Sequence, residues 1–77
     1  MNVQIHFHGA IDRRGFEQDH IVTCPQGTTV EQVLELLAYP PLQLRAIVAV
    51  VKGRRVDRNE PLQDGDTLDL MVPAGGG

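Results

Sequence analysis

Cysteine is nearly missing from the chain. Of its 77 residues only Cys24 is one, so no internal disulfide can brace the fold, which must stand on packing alone, as suits a reducing compartment. Tryptophan is absent and the aromatics are Phe7, Phe16 and Tyr39, which leaves aliphatic side chains to fill the core. No apolar run approaches the roughly 20 residues that cross a bilayer. The opening MNVQIHFHG also lacks a basic region followed by an apolar segment and a small-residue cleavage site. A cytoplasmic protein with no membrane partner is therefore expected. A net charge of -3 and two phenylalanines with one tyrosine argue against a nucleic-acid surface, which needs clustered positive charge and stacking rings. The length allows one domain, which buries only about 60% of its unfolded surface.

Within those bounds the hydrophobic pattern is regular. Val3, Ile5 and Phe7 alternate with Gln4, His6 and His8, the period of a strand covered on one face. Residues 10–18 are polar and contain a glycine, as a hairpin connection does, and HIVTC over 20–24 reads as the returning strand. A hairpin centred near Arg13 and Arg14 sets Ile5 opposite Val22 and Val3 opposite Cys24. In PQGTTVEQVLELLAYPP, Thr28 with Glu31 or Thr29 with Gln32 fits a capping box. Val30, Val33, Leu34, Leu37 and Ala38 then form one apolar helical stripe, which Pro40 and Pro41 end. AIVAVVKG over 46–53 is apolar on both faces, as an internal strand is. Lys52 to Arg55 turn it into a short edge strand at Val56. PLQDGDTLDLMV then supplies a turn at Asp64, Gly65 and Asp66 and a strand with Leu68, Leu70 and Val72 facing inward. The expected architecture is α+β, a mixed sheet of four or five strands packed on one main helix, with the last strand central and parallel to the first.

Few side-chain constellations carry chemistry. His6 and His8 share a strand face, the spacing of a two-histidine zinc site, but no third ligand is evident and solvated histidines are the expectation. Cys24 precedes a proline with no base beside it and reads as a small buried residue. Arg13, Arg14, Lys52, Arg54 and Arg55 form basic spots suited to an acidic rim on a partner, while Asp64, Asp66 and Asp69 sit near the last strand as a solvated turn or as contacts for basic residues. If Leu68 and Leu70 face the core, Met71 faces out. With Val48 and Val50 it would make an apolar patch: a docking face, a surface covered by a second copy, or ordinary surface.

The sequence ends MVPAGGG. A glycine run cannot be there to stabilise a fold. Pro73 has no N–H to continue a ladder, so the expected division is a body over 1–72 and a flexible tail over 73–77. Extended, five residues reach about 17 Å, enough for Gly77 to enter a narrow site while the body stays outside.

These features together resemble the ubiquitin-like β-grasp sulfur carriers: the small subunit of molybdopterin synthase and the thiamine-pathway sulfur carrier. The resemblance spans the chain and rests on the order of elements, PLQDGDTLDLMV, and the Gly76-Gly77 pair. It implies a carrier and not an enzyme. An ATP-dependent activating enzyme would adenylate the Gly77 carboxylate, with Gly76 beside it. Sulfur would then replace AMP to leave a thiocarboxylate, and a partner synthase would consume it. No cofactor or metal is expected to be held stably. Docking falls to Val48, Val50, Met71 and Val72, with Pro73, Ala74 and Gly75 leading into the partner. The long loop from Ala10 to Gln18 and the PLQDGD segment favour the molybdopterin branch slightly, and the short YPPLQLRA segment points to the thiamine carrier. Two other readings stay open: a ubiquitin-like modifier joined through Gly77, and a β-grasp interaction module whose tail is incidental.

Overall fold

A computed structural model describes residues 1–73 of the chain. Strands β1 (Asn2–Phe7) and β2 (Asp19–Thr23) are followed by helices α1 (Val30–Leu36) and α2 (Pro41–Leu44), then β3 (Val48–Val51), β4 (Arg54–Val56) and β5 (Thr67–Met71). The five strands form one sheet in the order β2-β1-β5-β3-β4. β5 is parallel to β1 and antiparallel to β3, and both hairpins are antiparallel. The last strand is thus central and parallel to the first, as expected.

Alternation decides the faces. Val3, Ile5, Phe7, Leu68, Leu70 and Ala49 are buried beneath Val30, Val33 and Leu34 of α1 and Leu37 at its cap. Cys24 is buried with them as a free thiol, as its sequence context suggested. α1 begins with a full capping box between Thr29 and Gln32, not between Thr28 and Glu31. The next free donors of the first turn go to a distant segment. Val30 N–H donates to the Glu60 carbonyl at 3.0 Å and Glu31 N–H to that of Arg58 at 2.8 Å, which ties the helix start to the chain after β4.

Several details differ from the sequence expectation. The hairpin register pairs Val3 with Val22 and Ile5 with His20, two residues away from Ile5 opposite Val22. A shift of two keeps every side chain on its face, so hydrophobic alternation cannot detect it. The long loop sets it: Ile11 turns into the core, and Gly9, Arg14 and Gly15 adopt left-handed backbone. His20 accordingly lies opposite Ile5 and not Phe7, with its ring stacked on Phe16 at 4.2 Å. Ala38 does not extend the apolar stripe. The helix caps at Leu37, and Ala38 is exposed at φ 64°, which swings Tyr39 into the core. Pro40 and Pro41 end α1 as expected, but Pro41 also opens α2, because its fixed φ and missing N–H suit a first helical position. Lys52 (φ 53°) and Gly53 (φ 75°) are both left-handed, the backbone of a two-residue type I′ hairpin.

Candidate functional site: a docking face and a groove at the end of the last strand

The end of β5 is fixed from both sides. Leu70 accepts from His8 N–H at 2.9 Å, and Met71 is the register partner of Val48 on β3. At its other end the strand is anchored by the Asp-Gly-Asp turn, whose carboxylates are already engaged. Asp64 accepts from Asn2 N–H at 2.7 Å, Asp66 accepts from Gln63 N–H at 2.8 Å, and Gly65 N–H donates to the Asn2 carbonyl at 2.8 Å. Asp64 and the Gly65 N–H thus join the turn to β1, while Asp66 closes the turn on itself. Val72 departs from expectation: it was to face inward, yet the strand stops at Met71 and Val72 is 44% exposed. β3 sets the limit, since its pairing with β5 ends at Val48 opposite Met71. Pro73 follows, and the expected tail positions Ala74, Gly75, Gly76 and Gly77 lie outside the described residues.

On the sheet face away from α1, the structure brings together Met71, Val48 and Val50. Val48 sits directly across from Met71, Val50 across from Asp69, and all three apolar side chains are half-buried. The patch has a polar border. His8 donates from Nε2 to the Asp69 carboxylate at 2.8 Å, His6 pairs through Nδ1 with Asp19, and the two imidazoles lie 4.4 Å apart. A carboxylate can only accept, so each ring carries its proton toward its aspartate. Arg55, register partner of Val50, closes the border on β4. Asp69 thus meets a histidine of its own sheet. Among the described residues, no group of three or more histidine, cysteine or acidic side chains is placed to hold a metal ion.

A groove at the same end of the sheet was not apparent in the sequence. A cavity of about 660 Å³ is lined by Ile11, Tyr39, Leu42, Ile47, Val72 and Pro73, among others. Leu42, on α2, is 81% exposed at its mouth. The floor is held by Tyr39, whose hydroxyl donates to the Asp12 carbonyl at 2.5 Å and so pins the long loop to the segment between the helices. Burial, and then the neighbouring Asp12 carboxylate, push the Tyr39 phenol up to about 12. The Arg14 backbone N–H, at 2.8 Å, and then its guanidinium hold the Asp12 carboxyl below the usual range. The available signals were Ile11 inside a polar loop and Leu42 between two prolines and a glutamine. Each is a single apolar residue outside any periodic run, too little to define a surface.

A mixed sheet with a central, parallel last strand wrapped on one main helix is the architecture of the ubiquitin-like β-grasp proteins. SAMP1 from Haloferax volcanii is similar over 100% of both chains, with a TM-score of 0.77 and 21% identity. A putative molybdopterin converting factor subunit 1 from Pyrococcus furiosus is similar over 95% of this chain and 98% of its own, with a TM-score of 0.76 and 19% identity. A chain in the complex of subunits 1 and 2 of the molybdopterin-converting factor from Helicobacter pylori aligns over 100% of both chains, with a TM-score of 0.70 and 23% identity. No curated protein sequence matches significantly. Residues 10–77 match the ThiS family. The chain belongs to that family, one of ubiquitin-like β-grasp sulfur carriers.

Proposed function

We propose that the protein carries sulfur as a thiocarboxylate on Gly77, with residues 1–72 as its folded body, and that it works in the cytoplasm. An activating enzyme joins the Gly77 carboxylate to the α-phosphate of ATP and releases pyrophosphate. A sulfur donor then displaces AMP. The chain supplies no side chain to this chemistry and holds no cofactor of its own; ATP belongs to the activating enzyme. A synthase takes the sulfur, and molybdopterin synthesis is slightly favoured over thiamine thiazole synthesis. Two structural neighbours support that choice: one is a putative molybdopterin converting factor subunit, and one belongs to a complex of two such subunits.

The observation that carries the reading is the placement of Met71 at the end of a central strand, beside Val48 and Val50, in a chain of the ThiS family. A tail that starts from the middle of a sheet is held by two neighbours at its root. Pro73 cannot extend the ladder, so Gly76 and Gly77 can be delivered while the body docks through its apolar patch. Intact mass spectrometry tests this. The measured mass first fixes Gly77 as the last residue. After incubation with the cognate activating enzyme, ATP and a sulfur donor, a gain of about 16 Da records one oxygen exchanged for sulfur. Similarity to SAMP1, a small archaeal modifier protein, keeps a second reading in view. Conjugates to lysine in the same experiment would favour it, and an unchanged mass together with full partner function after Gly77 is deleted would exclude both.

A further inference from the structure

The groove described above adjoins a second cavity of different character. About 210 Å³ in volume, it is lined by Arg45, Arg55 and Arg58 with Asp57, and it shares Ile47 with the apolar groove. Among the described residues none of these three arginines forms an ion pair. Two unpaired guanidiniums, of Arg45 and Arg58, therefore serve this cavity in a chain whose net charge is -3, since Arg55 lies across from Val50 and shares its face of the sheet. Val72 and Pro73 line the apolar groove, and Arg55 also borders the open sheet face. The root of the tail accordingly has the Met71 patch on one side, and the groove with its arginine-lined neighbour on the other.

We propose that the groove and the arginine cavity form a second docking site, on the opposite side of the tail root from the open sheet face. It receives one protruding segment of the activating enzyme, an apolar side chain flanked by carboxylates. This rests on the carrier reading. The apolar anchor fills the space between Leu42, Tyr39, Ile47 and Val72, and the flanking carboxylates pair with Arg45 and Arg58. Charge complementarity fixes the acidic character of the segment, because guanidiniums bind carboxylates through paired, parallel hydrogen bonds. The choice of the activating enzyme follows from its reaction. It must bring one anion, the tail carboxylate, against another, the triphosphate, and the binding energy for that comes from parts remote from the reacting atoms. A clasp on the root at Val72 and Pro73 also limits how far the tail can slip.

The test is pyrophosphate exchange by the cognate activating enzyme, with the full chain as varied substrate. Leu42→Asp places a charge at the mouth of the groove and, at an exposed site, leaves the fold intact, which an unchanged melting temperature verifies. KM for the carrier is expected to rise by about tenfold or more, as loss of a buried anchor does, while kcat changes by less than about twofold. The pair Arg45→Glu and Arg58→Glu, at an unchanged melting temperature, should raise KM by a similar factor and abolish its increase with salt, because the contacts that salt screens are gone. KM within about twofold of wild type for both variants, or a weakened synthase interaction with adenylation untouched, would overturn the proposal. A wild-type chain that supports no exchange at all overturns the carrier reading instead, and this site with it.

Discussion

Replacing Tyr39 by phenylalanine removes one oxygen and tests how the groove is held. The hydroxyl donates to the Asp12 carbonyl at 2.5 Å, and the side chain is only 5% exposed. Its loss takes away one hydrogen bond and leaves a carbonyl short of a partner, a cost of about 1–2 kcal/mol at neutral pH. In a domain of this size that lowers the melting temperature by roughly 5–10 °C. The same substitution has a second signature in alkali. The folded phenol titrates near 12 against a reference of 10.0, so between those values the unfolded chain has released a proton that the folded chain keeps. Stability contributed by the buried phenol is therefore complete below pH 10 and lost as pH rises toward 12. The gap would be worth on the order of 2 kcal/mol at most. Tyr39 is the one tyrosine in the chain, so near-ultraviolet tyrosinate absorbance reports it directly, and urea unfolding at a series of alkaline pH values gives the stability. Lysine and arginine titrate in both proteins and cancel in the difference. The stability gap between wild type and Tyr39→Phe should shrink from pH 10 to 12. A folded phenol that titrates with the unfolded one, or a gap that stays constant with pH, would refute the reasoning.

Other perturbations follow from single features. Ala38→Gly should stabilise the protein by about 0.5–1 kcal/mol in denaturant unfolding, because the exposed alanine holds a left-handed backbone that glycine adopts without penalty. Thr29→Ala removes the hydroxyl that caps Gln32 N–H and should cost about 1 kcal/mol in the same measurement. Met71→Asp sets a second carboxylate near Asp69 in the apolar patch. Binding to the synthase, followed by calorimetry, should weaken by about tenfold or more, with circular dichroism unchanged; equal binding would remove the patch from the docking face.

The parts of the molecule that repeat were legible in the sequence. Alternation over Val3 to Phe7 and Leu68 to Leu70, and the helical spacing from Val30 to Leu37, each contain enough apolar positions to fix a face, and the run over 46–53, apolar on both sides, marks an internal strand. Patterns of period two could not fix the hairpin register, since a shift by two residues leaves the pattern intact. Irregular backbone was harder still. Ala38 reads as the best of helix formers but sits in left-handed backbone, because Tyr39 must reach the core before Pro40 restricts it. The apolar patch was foreseeable as three apolar positions on adjacent strands, and Val48, Val50 and Met71 do share one sheet face. The groove was not, because Ile11, Tyr39 with Leu42, and Val72 come from three separate segments that meet only in the fold.

The pairing of β1 with β5 has a mechanical consequence. The two strands are parallel neighbours at the centre of the sheet, so a pull on the tail, opposed at the amino-terminal end of the chain, loads their hydrogen bonds in shear. Bonds loaded that way share the force and must fail together, whereas the edge strands β2 and β4 can be peeled one bond at a time. A partner that pulled on the chain beyond Pro73, as the carrier reading requires, would therefore move the body as a unit before β5 was drawn out.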